Sequence, residues 1–146
     1  ELVRVLRGLH KTSRPKFNLI LIGRFNLIER VMYRSVQIID ELPIGELKKE
    51  ILKFDILLLV NTTDRDLLPS KFWFYMSTNK PVLSIGSSYS LNYASKGFEG
   101  VYICKNYYAD ISKILNEIDI NKKYSREEKL NEINKCEQDR LDIIIG

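Results

Sequence analysis

The residues of this chain that could act on a ligand are few: Gly23 and Arg24, Asp40 and Glu41, Asn61, Asp66, Ser70 and Lys71, and the turn Gly86-Ser87-Ser88. Arg24 and Lys71 are cations able to neutralise a phosphate, and small residues let backbone amides come close to one. Ser70, beside Pro69, is of a type that caps a helix, which would aim free amides and a partial positive charge at the same place. An anionic ligand suits this set. On residue types alone the plainer alternative stands level with it, in which Pro69 and Ser70 merely start a helix and Lys71 is solvated.

Other chemistries lack their residues. No G-x-G-x-x-G follows an apolar run and no G-x-x-x-x-G-K-[ST] occurs, so the dinucleotide and Walker phosphate cradles are absent. The one histidine, His10, closes an N-terminal helical pattern, and Gly86-Ser87-Ser88 is not a nucleophile elbow. Two cysteines, Cys104 and Cys136, make neither a disulfide framework nor, with one histidine, a zinc set, so no metal site is expected. A phospho-acceptor receiver domain needs acids at the ends of its first and third strands; here those ends are Gly23-Arg24 and Asn61.

The elements that must position these residues follow from periodicity. Leu2, Val5, Leu6 and Leu9 have helical spacing. Apolar runs at 17–22, 36–39, 55–60, 81–85 and 101–104 predict five strands, and helical patterns are expected over 26–34, 46–53, 70–77 and 90–95, then from about 108 to 118. Asn79 ends the third of these helices, because a residue before Lys80-Pro81 resists helical geometry. Strands about twenty residues apart, each pair separated by a helix, are the rhythm of parallel crossovers. The fold expected is α/β, an open doubly wound parallel sheet with helices on both faces, whose carboxyl edge carries the polar residues and is where ligands bind in such sheets.

With 146 residues, 45% of them hydrophobic, the chain can bury one core. Its formal charge of +4 is uneven: residues 1–35 hold eight basic and two acidic side chains. Such a face suits a phosphorylated ligand, an anionic membrane or nucleic acid. Nucleic acid is disfavoured, since Tyr33 is the one exposed-looking aromatic near the charges and stacking platforms need more. No apolar stretch has the length of a membrane span, and a reducing cytoplasmic setting fits the cysteine usage. Residues 122–146 are highly charged, with Leu130, Ile133, Leu141 and Ile144 as sparse anchors, so a solvent-facing final helix that docks elsewhere is expected after a domain over 1–121.

Residues 69–83, Pro-Ser-Lys-Phe-Trp-Phe-Tyr-Met-Ser-Thr-Asn-Lys-Pro-Val-Leu, resemble the segment P-S-K-[LF]-[FW]-E-Y-[ML]-A-x-[GN]-K-P-V-L of group-one, retaining-type glycosyltransferases of the GT-B fold. Phe17 to Gly23 is similar to that family's strand ending in glycine, Val36 to Glu46 to its G-x-[LV]-P-x-E-E-L region, and Ile51 to Val60 to its L-x-x-[AF]-D-[IV]-x-[LV] strand. The likeness runs in order to about Ile118. It implies the C-terminal, Rossmann-like donor half of an enzyme that moves a sugar from a nucleotide diphosphate-sugar to a glycan or lipid-linked acceptor. A preceding strand and an N-terminal acceptor domain, which the final helix would rejoin, lie before Glu1 in this reading. The resemblance assigns catalytic roles to Asp66 and Lys71 and donor binding to Gly23, Arg24, Glu41, Leu42, Asn61, Ser70 and Tyr75. No cofactor beyond the nucleotide-sugar substrate is implied, and the setting is cytoplasmic, at the inner membrane face for a lipid-linked acceptor. One departure stands out. The family's two acids have seven residues between them, and here Phe74 occupies the second position, which removes a ribose acceptor. The alternative is therefore a glycosyltransferase-like domain without catalysis that serves as a binding or scaffold module.

Overall fold

A computed structural model describes residues 18–24, 26, 36–61, 66, 68–104 and 109–135. The expected helix over 1–9 and all but the first residue of that over 26–34, together with His10, Tyr33, Cys136, Leu141 and Ile144, lie outside the described residues. In chain order the elements are β1 (Ile20–Ile22), β2 (Gln37–Ile39), α1 (Ile44–Ile51), β3 (Leu57–Val60), α2 (Lys71–Met76), β4 (Val82–Ile85), α3 (Tyr89–Ser95), β5 (Val101–Cys104) and α4 (Ala109–Glu117). Residues 127–135 are also helical.

The protein is α/β and its described strands pair in parallel, as the spacing predicts. In place of one five-stranded sheet, however, there are two among the described residues: β1 pairs with β2, and β3-β4-β5 form a second sheet in that order. β4 lies at the centre of the larger one. All four residues of its Val-Leu-Ser-Ile run are buried, as expected of a strand covered on both faces.

Alternation along the three strands sorts the core. Leu57, Leu59 and Val82 belong to one buried cluster with Ile51 of α1, Phe72 and Met76 of α2, Leu91 of α3 and Phe98. Leu83, Ile85 and Cys104 belong to the other, with Ile111, Leu115 and Ile118. Helices therefore cover both faces of the larger sheet, α1, α2 and α3 on one and α4 on the other. Phe72 is fully buried and meets Phe98 edge-on at 6.2 Å, and burying such a ring contributes about 2–3 kcal/mol.

Local sequence sets the helix ends. Pro43 precedes α1, where its missing amide costs nothing, and Glu46 in the first turn with Lys48 and Lys49 in the last complements the helix dipole. Ser88 caps α3, its hydroxyl accepting from the Leu91 amide at 3.1 Å. α2 ends at Ser77, ahead of Lys80-Pro81.

Residues after α4 form a polar clasp that the sequence reading passed over. Tyr124 is buried, donates its amide to the Asn79 carbonyl, and lies so close to Gly100 that a Cβ there would stand 2.6 Å from the ring. Gly100 also has φ +71°, so glycine is required there on both counts. The Tyr124 and Tyr102 hydroxyls are 3.1 Å apart, and this bond, ahead of burial, pushes the Tyr102 pKa up to about 12. Arg126, 3% exposed, donates to the Glu99 carbonyl from Nε and Nη2 at 3.0 and 2.8 Å and to the Thr78 carbonyl from Nη1 at 2.9 Å. Burial draws its pKa below the ordinary guanidinium value, and the neighbouring Tyr124 opposes that. The fork joins the end of α2 to the turn before β5. Leu130 and Ile133 then pack on the first core cluster.

Arg126→Ala would strand two carbonyls that no side chain can rejoin. It is expected to lower stability by about 2–4 kcal/mol in urea denaturation, with Arg126→Lys recovering little because one ammonium cannot span both carbonyls.

Candidate functional site

Parallel strands bring their carboxyl ends to one edge of a sheet, and the expected residues follow those ends. Gly23 and Arg24 come after β1, Asp40 to Leu42 after β2, Asn61 after β3 and Gly86 to Ser88 after β4. Gly23 extends the ladder, its amide donating to the Ile39 carbonyl at 3.1 Å. Arg24 Nε then donates to Glu41, an ion pair that ties the loop after β1 to the loop after β2. Their side chains are 86% and 55% exposed, so water screens the pair and it contributes at most about 1 kcal/mol. A ligand phosphate can compete for such an arginine at little cost. Leu42 is half-buried at the approach to α1.

Asn61 and Gly86 close the larger sheet's edge. The Asn61 amide donates to the Ile85 carbonyl at 2.8 Å, and its own carbonyl stands where a Cβ on Gly86 would come within 2.2 Å. With φ +85°, Gly86 turns the chain so that β4 can leave the sheet beside β3, a path a side chain would block. Asn61 is buried within this junction.

Asp66 has a partner that the sequence does not announce. Its Oδ1 accepts from the Ser90 amide at 2.8 Å, and the Ser90 hydroxyl donates back to the Asp66 carbonyl at 3.1 Å. The carboxylate thus serves as a long-range cap on α3, next to the local cap from Ser88. Two of the amides that α3 would otherwise direct outward are taken by these oxygens. The contact ties Asp66, which lies between β3 and α2, to the start of α3.

The opening of α2 differs from the expectation. Ser70 has helical angles, φ −56° and ψ −29°, and makes no side-chain cap, the Phe72 amide being accepted by the Pro69 carbonyl at 2.9 Å. The reason is local: with Ser70 already in the helical region, the tight Pro69-to-Phe72 turn satisfies that amide in its place. Lys71, the first residue of α2, is exposed and has no ion-pair partner among the described residues. Phe74 and Tyr75 are half-buried and pack against the first core cluster, their rings 6.2 Å apart, and burial raises the Tyr75 pKa. Phe74 is thus in part a core residue, which accounts for an apolar side chain at this helix position.

Among the described residues no group of three or more His, Cys, Asp or Glu side chains could hold a metal, and no helix is long and apolar enough to cross a membrane. The structure brings Arg24 to Glu41 and Asp66 to Ser90. It leaves Lys71 as an exposed cation beside the loop after β3. Comparison with protein-family models, with curated proteins and with solved structures finds no match to this chain.

The Asp66 contact separates a structural from a chemical role. Asp66→Ala is expected to lower stability by about 1 kcal/mol in urea denaturation, the usual cost of a lost cap, whereas Asp66→Asn, which keeps Oδ1 as an acceptor, stays within a few tenths of wild type.

Proposed function

We propose that the carboxyl edge of these parallel strands binds the diphosphate of a nucleotide-sugar, and that the chain is the donor-binding half of a glycosyltransferase with a Rossmann-like, doubly wound sheet. The observation that carries the reading is that an exposed cation follows a strand end in each of the two sheets. Arg24 is held only by a screened ion pair, and Lys71 opens α2 next to the loop that follows β3. As the bond from sugar to diphosphate breaks, negative charge accumulates on the leaving group. Cations beside the leaving group stabilise that state more than the ground state. Arg24 and Lys71 take this role, Gly23 admits the diphosphate to the backbone, and Glu41, Leu42, Ser70 and Tyr75 border the donor. The acceptor, a glycan or a lipid-linked sugar, comes from a partner domain on the cytoplasmic side.

Asp66 favours a second reading. In the enzyme its carboxylate is oriented toward the sugar, but Oδ1 is occupied by the α3 amide. With Phe74 also in place of an acid, a module that binds a nucleotide-sugar or its relative without transferring it fits the same edge.

Calorimetric titration with UDP, GDP and ADP tests both. Binding of one of the three, weakened about tenfold in Lys71→Ala through loss of a charge-assisted contact, is expected. No binding of any, or binding indifferent to Lys71, overturns the proposal. Release of sugar from the bound donor in the presence of acceptor distinguishes the enzyme from the module.

A further inference from the structure

The two most exposed large hydrophobic side chains among the described residues stand on one helix. Tyr89 is 75% exposed and Tyr93 66%, and both belong to α3. The inward side of that helix is accounted for: Leu91 is fully buried, Ala94 packs against the first core cluster, and Ser90 is bonded to Asp66. Neither tyrosine joins a core cluster. The fold therefore does not require an aromatic ring at either outer position, and tyrosine is only a middling helix former.

The rings are set in step. Four residues advance about 6 Å along a helix, and the centroids of Tyr89 and Tyr93 are 6.3 Å apart with their planes 17° from parallel. The pair thus repeats one orientation along the helix axis. Lys96 continues the row, its Nζ over the Tyr93 ring at 5.9 Å from the centroid. Positions i, i+4 and i+7 share one helix face, which is why the three side chains line up. Lys96 forms no ion pair among the described residues, and α3 carries no acidic side chain.

Area and charge decide what such a face can hold. Two tyrosines offer at most about 300–500 Å², whereas a stable protein interface buries about 800 Å² on each partner. No other exposed large hydrophobic side chain lies on α3 to extend the patch. A protein, or a second copy of this chain, finds too little here. A single-stranded nucleic acid needs cations along its backbone as well as rings for its bases, and α3 provides one cation, at its end. A linear glycan has the fitting chemistry. The C–H faces of its pyranose rings are apolar and stack on aromatic rings, while its rim hydroxyls bond phenol oxygens and an ammonium. Successive pyranoses are also spaced comparably with the two tyrosines.

We propose that the outer face of α3 is a glycan-binding strip, in which Tyr89 and Tyr93 each take one pyranose ring and Lys96 holds a hydroxyl or carboxylate of the next. The rings are carried by a helix whose start is fixed by Ser88 and Asp66, so little ordering is left to be done on binding. α3 follows β4 through the Gly86 turn, and the strip runs from there toward Lys96. It belongs to α3 alone and stands whether or not the sheet edge takes a nucleotide.

Aromatic and amide chemical shifts of the 146-residue chain, followed during titration with cellohexaose, chitohexaose, maltohexaose and a hyaluronan hexasaccharide, test the strip. Saturable binding of at least one of the four is expected, with shifts centred on Tyr89, Tyr93 and Lys96. Tyr89→Ala and Tyr93→Ala each weaken it about tenfold through loss of a stacked ring. Tyr89→Phe keeps the ring and stays within about threefold of wild type, which separates stacking from the phenol hydrogen bond. Both positions are exposed, so the variants keep the fold, as unchanged shifts of Leu83 and Ile85 in β4 would show. Nucleotide binding at the strand ends is expected to be the same in the alanine variants as in wild type, so either reading can fail without the other. No saturable shifts with any of the four, shifts centred elsewhere, or binding indifferent to both alanine variants overturns the proposal. So does tighter binding of an oligothymidylate on the same tyrosines, or shifts there that grow with protein concentration alone, which assign the face to nucleic acid or to a second copy.

Discussion

A parallel sheet has to be covered on both faces, and β4 is where this chain meets that constraint. Its four residues are buried and paired on either side, and the strict alternation of the three strands sends one set of side chains to α1, α2 and α3 and the other to α4. Crossovers are the only way to connect such strands, and they return every strand in the same direction. Polar residues thereby follow the carboxyl ends of the strands in each sheet, and Asn61 and Gly86 help to close the larger one. Where the constraint is unmet, at β1, β2 and the outer side of β3, apolar strands remain partly exposed.

Polar groups are satisfied at a distance in this fold. Arg126 ties together carbonyls from two connections that lie roughly fifty and thirty residues earlier in the chain, and Tyr124 occupies the space that Gly100 leaves. Asp66 caps a helix that begins more than twenty residues later. The last contact also shapes the candidate site. It ties Asp66 to the start of α3, but it draws one carboxylate oxygen away from ligand chemistry. An acid that holds a loop and a helix together can still face a ligand with its second oxygen, and the roles of Arg24 and Lys71 do not depend on it.

Features governed by local periodicity were legible. The apolar runs predict all five strands to within three residues, and Lys80-Pro81 predicts where α2 stops. Features set by tertiary partners were not. Ser70 has the residue type of a cap, but its backbone is helical and Pro69 supplies the acceptor. The Asp66 to Ser90 contact has no sequence signature, because a side-chain cap from another loop leaves no fixed spacing. Tyr124 and Arg126 sit in a highly charged stretch that reads as solvated, yet a tyrosine and an arginine are the side chains best able to bury their stems while keeping polar tips bonded. Division of the strands into two sheets is likewise invisible to strand spacing, which counts strands and not their neighbours. The glycosyltransferase resemblance rests on the wording of residues 69–83 and the order of the weaker segments around it, and comparison with known proteins adds nothing to it.

Amide chemical shifts recorded as UDP is added test the central claim most directly, since they report where a ligand sits as well as whether it binds. Shifts centred on Gly23, Arg24, Glu41, Lys71 and Gly86, at the carboxyl ends of the strands, are predicted. Shifts centred on Asn79, Lys80 and Gly100, at the amino ends of β4 and β5, or no shifts at saturating nucleotide, would contradict it.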